Sequence, residues 1–232
     1  MSSGKYQPHG ALARAVNSIE ETVIAVLLGL MTLVTFVNVV LRYGFNTSLI
    51  WGLEVTLILF AWLVLFGIAY GFKITAHLGV DAVINLFSKP GRKVFALISA
   101  ACCLVYALLL MKGAWDYWAP FAALPPTEGR WFPLGFVEKF RDRAFYMTDQ
   151  VPMLEMFRWL EDTINYGDEY DKLPRVIPYA MLPFACALIV YRLVQATIDI
   201  VRDRRESLIV SHEAEDAVAE AATRPDPVQK GA

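Results

Sequence analysis

Residues that build metal centres and disulfide frameworks are scarce in this chain, which has three cysteines and three histidines in 232 residues. Cys102, Cys103 and Cys186 all fall inside apolar runs. A disulfide framework or a zinc site would place them in polar loops at regular spacing, so they read as small buried apolar residues. His9 and His212 stand in polar terminal segments, and no histidine lies within a span. The paired span histidines of a membrane haem protein are therefore missing. No glycine-rich phosphate loop, His-Glu-x-x-His or Cys-x-x-Cys occurs. The sequence thus offers no catalytic residue, no metal ligand set and no cofactor, and an enzyme is the least supported reading. A net charge of −2 gives no sign of a nucleic-acid partner.

What the chain has is apolar surface. Hydrophobic residues make up 56% of it, mean hydropathy is +0.44, and the apolar residues come in long blocks. That is the membrane class. Thr22–Leu41 is twenty residues without a charge, enough to cross the roughly 30 Å hydrocarbon core. It is too long for a signal-peptide core, and Arg-Tyr-Gly-Phe-Asn follows it instead of a small-residue cleavage site, so it reads as a retained anchor. Further spans are expected at 50–72, 94–111 and 177–198. Pro178 suits a first helical turn and Pro183 is a candidate kink. The expected fold is an all-α integral membrane protein of four transmembrane helices plus interfacial amphipathic helices.

Short-loop charge sets the expected orientation. Lys73, Lys89, Arg92 and Lys93 stand against Asp81 between spans two and three; Arg202, Arg204 and Arg205 follow span four; Lys5 and Arg14 precede span one. The loop between spans one and two has only Arg42. The basic clusters fall on one side, the cytoplasm, with both termini. Residues 1–21 form a cytoplasmic segment that includes an interfacial entry helix. Residues 22–198 form the membrane domain, with a periplasmic insertion at 112–176. Residues 199–232 form a cytoplasmic tail that is Ala- and acid-rich, which predicts disorder.

The insertion has its own pattern. Phe136, Val137, Phe140, Ala144 and Met147 fall on one helical stripe, and Met153, Leu154, Phe157, Leu160 and Ile164 on another, with Pro152 placed at a helix start. Two short amphipathic helices are predicted, lying on the outer membrane face or on a partner. Trp115, Tyr117, Trp118, Trp131 and Phe132 suit an interfacial aromatic belt, and Leu-Pro-Pro-Thr-Glu-Gly a turn. Ile74–Phe87 is partly amphipathic and reads as a short helix along the inner surface.

Arg42 and Glu54 are the informative pair, because span one ends and span two begins on the same outer face. A carboxylate about 6 Å of helix rise into a span needs a partner. One reading is a structural ion pair with Arg42 that pins spans one and two. A second is contact with a cation or polar group of another subunit. A third is a coupling-ion or proton site. Trp51 and Trp62, three turns apart, share a face for lipid packing or for a partner helix. His77 reads as an interfacial hydrogen-bonding residue, since a metal site needs more ligands.

The stretch from Val39 to Val83 also resembles the small membrane subunit, DctQ-like, of tripartite ATP-independent periplasmic (TRAP) transporters. The matching pattern is Arg42, Trp51, Glu54, Trp62, Gly67 and the run from His77 to Asp81; Lys73 joins these residues as a candidate structural or subunit-interface position. Leu173–Phe184 resembles the family's entry to its last span. The long outer loop departs from the usual family connection. The resemblance implies uptake of organic acids, C4-dicarboxylates first among them, by secondary-active symport on a sodium or other ion gradient. Partners implied are a large membrane subunit (DctM-like), a periplasmic binding protein (DctP-like) and membrane lipids. The small subunit is then a fixed scaffold that braces the large one and helps dock the binding protein, with Glu54 holding spans or subunits in register. The alternatives are a four-helix accessory or assembly subunit of another membrane complex, and a self-sufficient small transporter or channel.

Overall fold

The computed structural model of the chain describes residues 11–74, 88–128 and 135–203. Among these, four helical segments are long and apolar enough to cross a membrane. They belong to α1 (Ala11–Gly44), α2 (Gly52–Ile74), α3 (Lys89–Trp118), and the α5–α6 pair (Val176–Tyr179 and Met181–Val201). The 34 residues of α1 rise about 51 Å, more than the roughly 30 Å a span needs. The part of the expected interfacial entry helix from Ala11 onward is therefore continuous with the first span. Thr22, Thr32 and Thr35 turn their hydroxyls back to carbonyls four residues earlier, which satisfies them without a neighbour.

The break between α5 and α6 has a local cause. Pro183 lacks the N–H that would bond the Tyr179 carbonyl, and its ring crowds that same carbonyl. The helix is accordingly interrupted at Ala180 and resumes at Met181.

The spans pack as a row, not a closed bundle. The packed pairs are α1 with α2, α2 with α6, and α6 with α3. The order across the row is therefore α1–α2–α6–α3. Of its most apolar stretch, the last span buries 44% inside the chain, α2 and α3 17% each and α1 only 6%, so the last span is the most enclosed. Ala96, Ala100 and Ala107 of α3 meet Ile189, Leu193, Ala196 and Ile200 of α6, so small residues on one helix face large ones on the other. Gly52 is needed where α2 meets α1: a Cβ there would stand 3.1 Å from the Leu49 Cβ and within 4 Å of Val34 and Asn38. Beside it, the Asn38 side-chain oxygen accepts the Leu49 N–H at 3.0 Å.

Residues 119–175 join α3 to α5 at the end of the row where α1 meets α2, here called the loop end. Here the expectation of two amphipathic helices needs correction. The stripe from Phe136 to Met147 is not helical. Its start pairs with the turn after α3, through an isolated bridge of Thr127 with Phe136 and the bonds Glu128 N–H to Gly135 O and Val137 N–H to Pro126 O. Its end enters strand β1 (Met147–Pro152), which pairs antiparallel with β2 (Lys172–Pro174). Main-chain groups satisfied by cross-chain partners have no need of a helix. The second stripe is helical only over a 3-10 turn, Glu155–Phe157, and six residues of α4 (Trp159–Ile164). Pro152 closes β1 instead of opening a helix. A small two-stranded sheet is thus added to the helical frame. The helix expected at Ile74–Phe87, Trp131 with Phe132, and the acidic tail lie outside the described residues.

Candidate functional site

The loop segment is a folded unit with its own core. Phe121, Ala144, Leu160, Ile164 and Val176 are buried together, with Trp118, Tyr146, Phe157 and Tyr179 packed around them. Phe121 sits edge-on to Tyr179 at 5.2 Å between ring centres, and Arg143 lies 5.8 Å from the Phe121 ring. Tyr170 donates its hydroxyl to the Ala144 carbonyl from a buried position. Burial first, then the charges of Asp142 and Glu161, push its hydroxyl pKa from 10.0 up to about 12. Buried Glu161 accepts the Tyr170 N–H at 3.0 Å and Arg158 at 3.0 Å.

Glu54 fastens this unit to the spans. It lies in the first turn of α2, where the helix dipole favours a carboxylate. Its Oε1 accepts the Asp149 N–H at 2.9 Å, and its Oε2 accepts those of Gln150 at 2.6 Å and Val151 at 3.1 Å. Three successive main-chain donors of β1 thus converge on one carboxylate. Cations also hold β1. Arg175 donates to the Met147 carbonyl at 2.8 Å and to the Asp149 carboxylate at 2.9 Å, and Lys172 donates to the Asp149 carbonyl. Two carboxylates, Glu54 and Asp149, and two cations, Lys172 and Arg175, leave the bracket with no net formal charge.

Three further ties surround it. Trp62 donates its indole N–H to the Pro178 carbonyl at 2.8 Å, and Trp118 to that of Val176 at 2.9 Å. These carbonyls lie at the start of the last span. Asp116 receives Lys112 at 2.6 Å and both the N–H and hydroxyl of Thr127, at 2.7 and 2.6 Å. The loop unit is therefore attached to α2, α3 and the last span.

One of the three readings of Glu54, an ion pair with Arg42, is not what the geometry gives. Both Glu54 oxygens are taken by β1, while Arg42 is exposed in the last turn of α1, where a cation suits the helix dipole. Trp51 is half-buried in the turn before α2. Gly67 is half-buried with nothing within 4 Å of where a Cβ would stand, so close packing inside this chain does not require it. Lys73 falls in the last turn of α2, and His77 and Asp81 lie outside the described residues.

Sequence reasoning missed a second charged tie, at the opposite end of the row. Arg192 of α6 is ion-paired with Glu20 of α1, both side chains close to 10% exposed, and donates to Gln195 at 3.1 Å. Tyr70 of α2 donates to Glu21 at 2.9 Å. The signal was available: a single arginine inside the last apolar run, and two glutamates just before the first.

Between α2 and α3, over the face of α6, runs an open apolar furrow of about 990 Å³. Its walls include Trp62 and Leu65 on one side and Tyr106 and Leu110 on the other, with Leu182 and Ile189 in its floor. Among the described residues no group of three or more histidine, cysteine or acidic side chains could hold a metal ion.

Comparison with known proteins gives a consistent picture. Residues 31–134 match the family described as tripartite ATP-independent periplasmic transporters, DctQ component. The chain is similar to the C4-dicarboxylate TRAP transporter small permease protein DctQ of Vibrio cholerae, 42% identical over 200 residues, covering 86% of this chain and 78% of that one. The protein of the same name from Pseudomonas aeruginosa is 39% identical over 134 residues, 46% of this chain and 64% of that one. The one from Rhodobacter capsulatus is 29% identical over 117 residues, 38% of this chain and 52% of that one.

Proposed function

Because the chain belongs to the DctQ family of TRAP transporter small permease proteins, a multi-pass inner-membrane family of transporter components and not of enzymes, we propose that it is a fixed scaffold for a C4-dicarboxylate uptake system. In this reading it braces the large permease in the membrane and presents its folded loop unit to the binding protein in the periplasm. In this reading both termini face the cytoplasm, which the basic residues of the short loops support. Uptake is secondary-active symport with an ion. The C4-dicarboxylate substrate class is carried over from the names of the relatives above.

The observation that carries the scaffold reading is the Glu54 bracket with its three companion ties. A loop serving only to join two spans does not need a core of its own or attachment to three spans. A platform that must meet a partner in one orientation needs both. Nor does Glu54 serve as an ion site in this reading, since its oxygens are occupied by main-chain donors.

The test is uptake of labelled succinate by proteoliposomes that contain the large permease, with the binding protein outside. Uptake is expected only when this chain is present. Charge reversal at exposed Glu155, Asp162 and Glu169 should lower uptake and weaken its dependence on ionic strength while the two membrane subunits still co-purify. Uptake by the large permease alone at the full rate would reject the scaffold role. Unchanged uptake in the charge variants would reject docking through the loop unit. Deletion of 134–167 is a poorer test, because it removes Leu160, Ile164 and the strand that Glu54 holds.

A further inference from the structure

We infer that Glu20 is a built-in docking point for the last span. α6 carries a charge that hinders its own stay in the membrane, and it is held across by pairing that charge with α1, which is already in place. The device belongs to the assembly of the row and does not depend on the scaffold reading.

Arg192 stands well inside its span. It lies fourteen residues beyond Pro178, about 21 Å of rise, and nine residues before Val201 ends α6, about 14 Å. An arginine is among the costliest side chains for a span to carry. Near a helix end such a side chain ordinarily reaches out to the interface. This one does not: it is only 11% exposed and turned onto Glu20, itself 10% exposed. Its own helix offers it Gln195, which accepts at 3.1 Å, and the Tyr191 ring, 5.6 Å from the guanidinium. Both are neutral, and both travel with α6. The opposite charge comes from α1.

The last span is weak in other respects. It is the least apolar of the four, and it is interrupted at Ala180. Its partner is available early. Glu20 precedes Arg192 by 172 positions, so α1 is made and placed long before α6. Tyr70 of α2 donates to Glu21 at 2.9 Å, which fixes this end of α1 on α2. α1 packs along α2 and not along α6, so Arg192 reaches the one helix of the row that α6 does not otherwise lean on.

The experiment is synthesis of the full chain, with an epitope tag at its C-terminus, into inverted inner-membrane vesicles, whose outer surface is the cytoplasmic one. A last span that stops in the membrane leaves the tag outside, open to added protease. One that slips through leaves the tag sealed in the lumen. Wild type, Glu20→Leu, Arg192→Leu and the double variant are compared. The protected fraction should rise several-fold in Glu20→Leu. It should stay at the wild-type level in Arg192→Leu and in the double variant, because an uncharged last span needs no docking point. A wild-type level of protection in Glu20→Leu overturns the inference, and means that the pair only strengthens the finished row. Protection in the double variant as high as in Glu20→Leu overturns it too, as does a protected tag in wild type.

Discussion

Replacing Glu54 by glutamine tests the bracket with the smallest possible change of shape. The carboxylate presents two acceptor oxygens to three N–H groups. The amide presents one oxygen, and its NH2 group faces main-chain donors with donors of its own. If Oε1 is kept, the bonds to Gln150 and Val151 are lost; if the amide flips, the bond to Asp149 is lost. A hydrogen bond to a charged group contributes about 1.5–3 kcal/mol, and Asp149 and Gln150 can recover part of that from water because they are exposed. Net weakening of the attachment of β1 by one such bond, about 1.5–3 kcal/mol, speeds local opening by about tenfold to a hundredfold. Amide hydrogen exchange in detergent or nanodiscs reads this directly. Residues 149–151 should exchange faster by that factor in Glu54→Gln, while amides in the middle of α3 and α6 stay as protected as in wild type. Unchanged exchange at 149–151 would refute the bracket. Equal loss of protection throughout the spans would show that Glu54 supports the row as a whole.

Arg192→Met removes the cation paired with the buried Glu20 carboxylate and should lower the unfolding midpoint in detergent, and the double change with Glu20→Leu should lower it less than the sum of the two single changes. Trp62→Phe removes the donor to the Pro178 carbonyl and should cost about 1–3 kcal/mol, read as a lower unfolding midpoint with the fold retained. Tyr170 gives a pH signature: its hydroxyl pKa rises from 10.0 to about 12 on folding, so its contribution is fully present below pH 10 and is lost as pH rises towards 12. The fall in loop-unit stability over that window, followed by near-ultraviolet circular dichroism, should be smaller in Tyr170→Phe than in wild type.

The membrane frame was legible because it is written locally. Twenty uncharged residues in a row can be recognised without knowing any partner, and so can a proline that breaks the last span. The loop unit was not legible, for a physical reason. β1 is held by Glu54, about a hundred positions away in the chain, and its bonds are made by main-chain N–H groups that every residue but proline carries. No side-chain pattern announces such a strand. Of the stripe Met153, Leu154, Phe157, Leu160 and Ile164, the last three pack into the loop core while Leu154 is exposed, and the one from Phe136 to Met147 was a coincidence of spacing in a chain that turns at Gly135 and Arg143–Tyr146. Of the three readings open for Glu54, none foresaw main-chain donors: topology brings Arg42 to the same face, and a side-chain cation is easier to see in a sequence than three amides. Trp62 was open between lipid and partner packing, and nothing in the sequence pointed to its indole N–H reaching the Pro178 carbonyl.

The most direct test of the central claim is a tagged purification of this chain from its native membrane in mild detergent, with co-purifying proteins identified and quantified by mass spectrometry. The account predicts one large, many-span permease recovered in about equal amount with this chain. Recovery of this chain alone, under conditions that keep other membrane complexes intact, would contradict it.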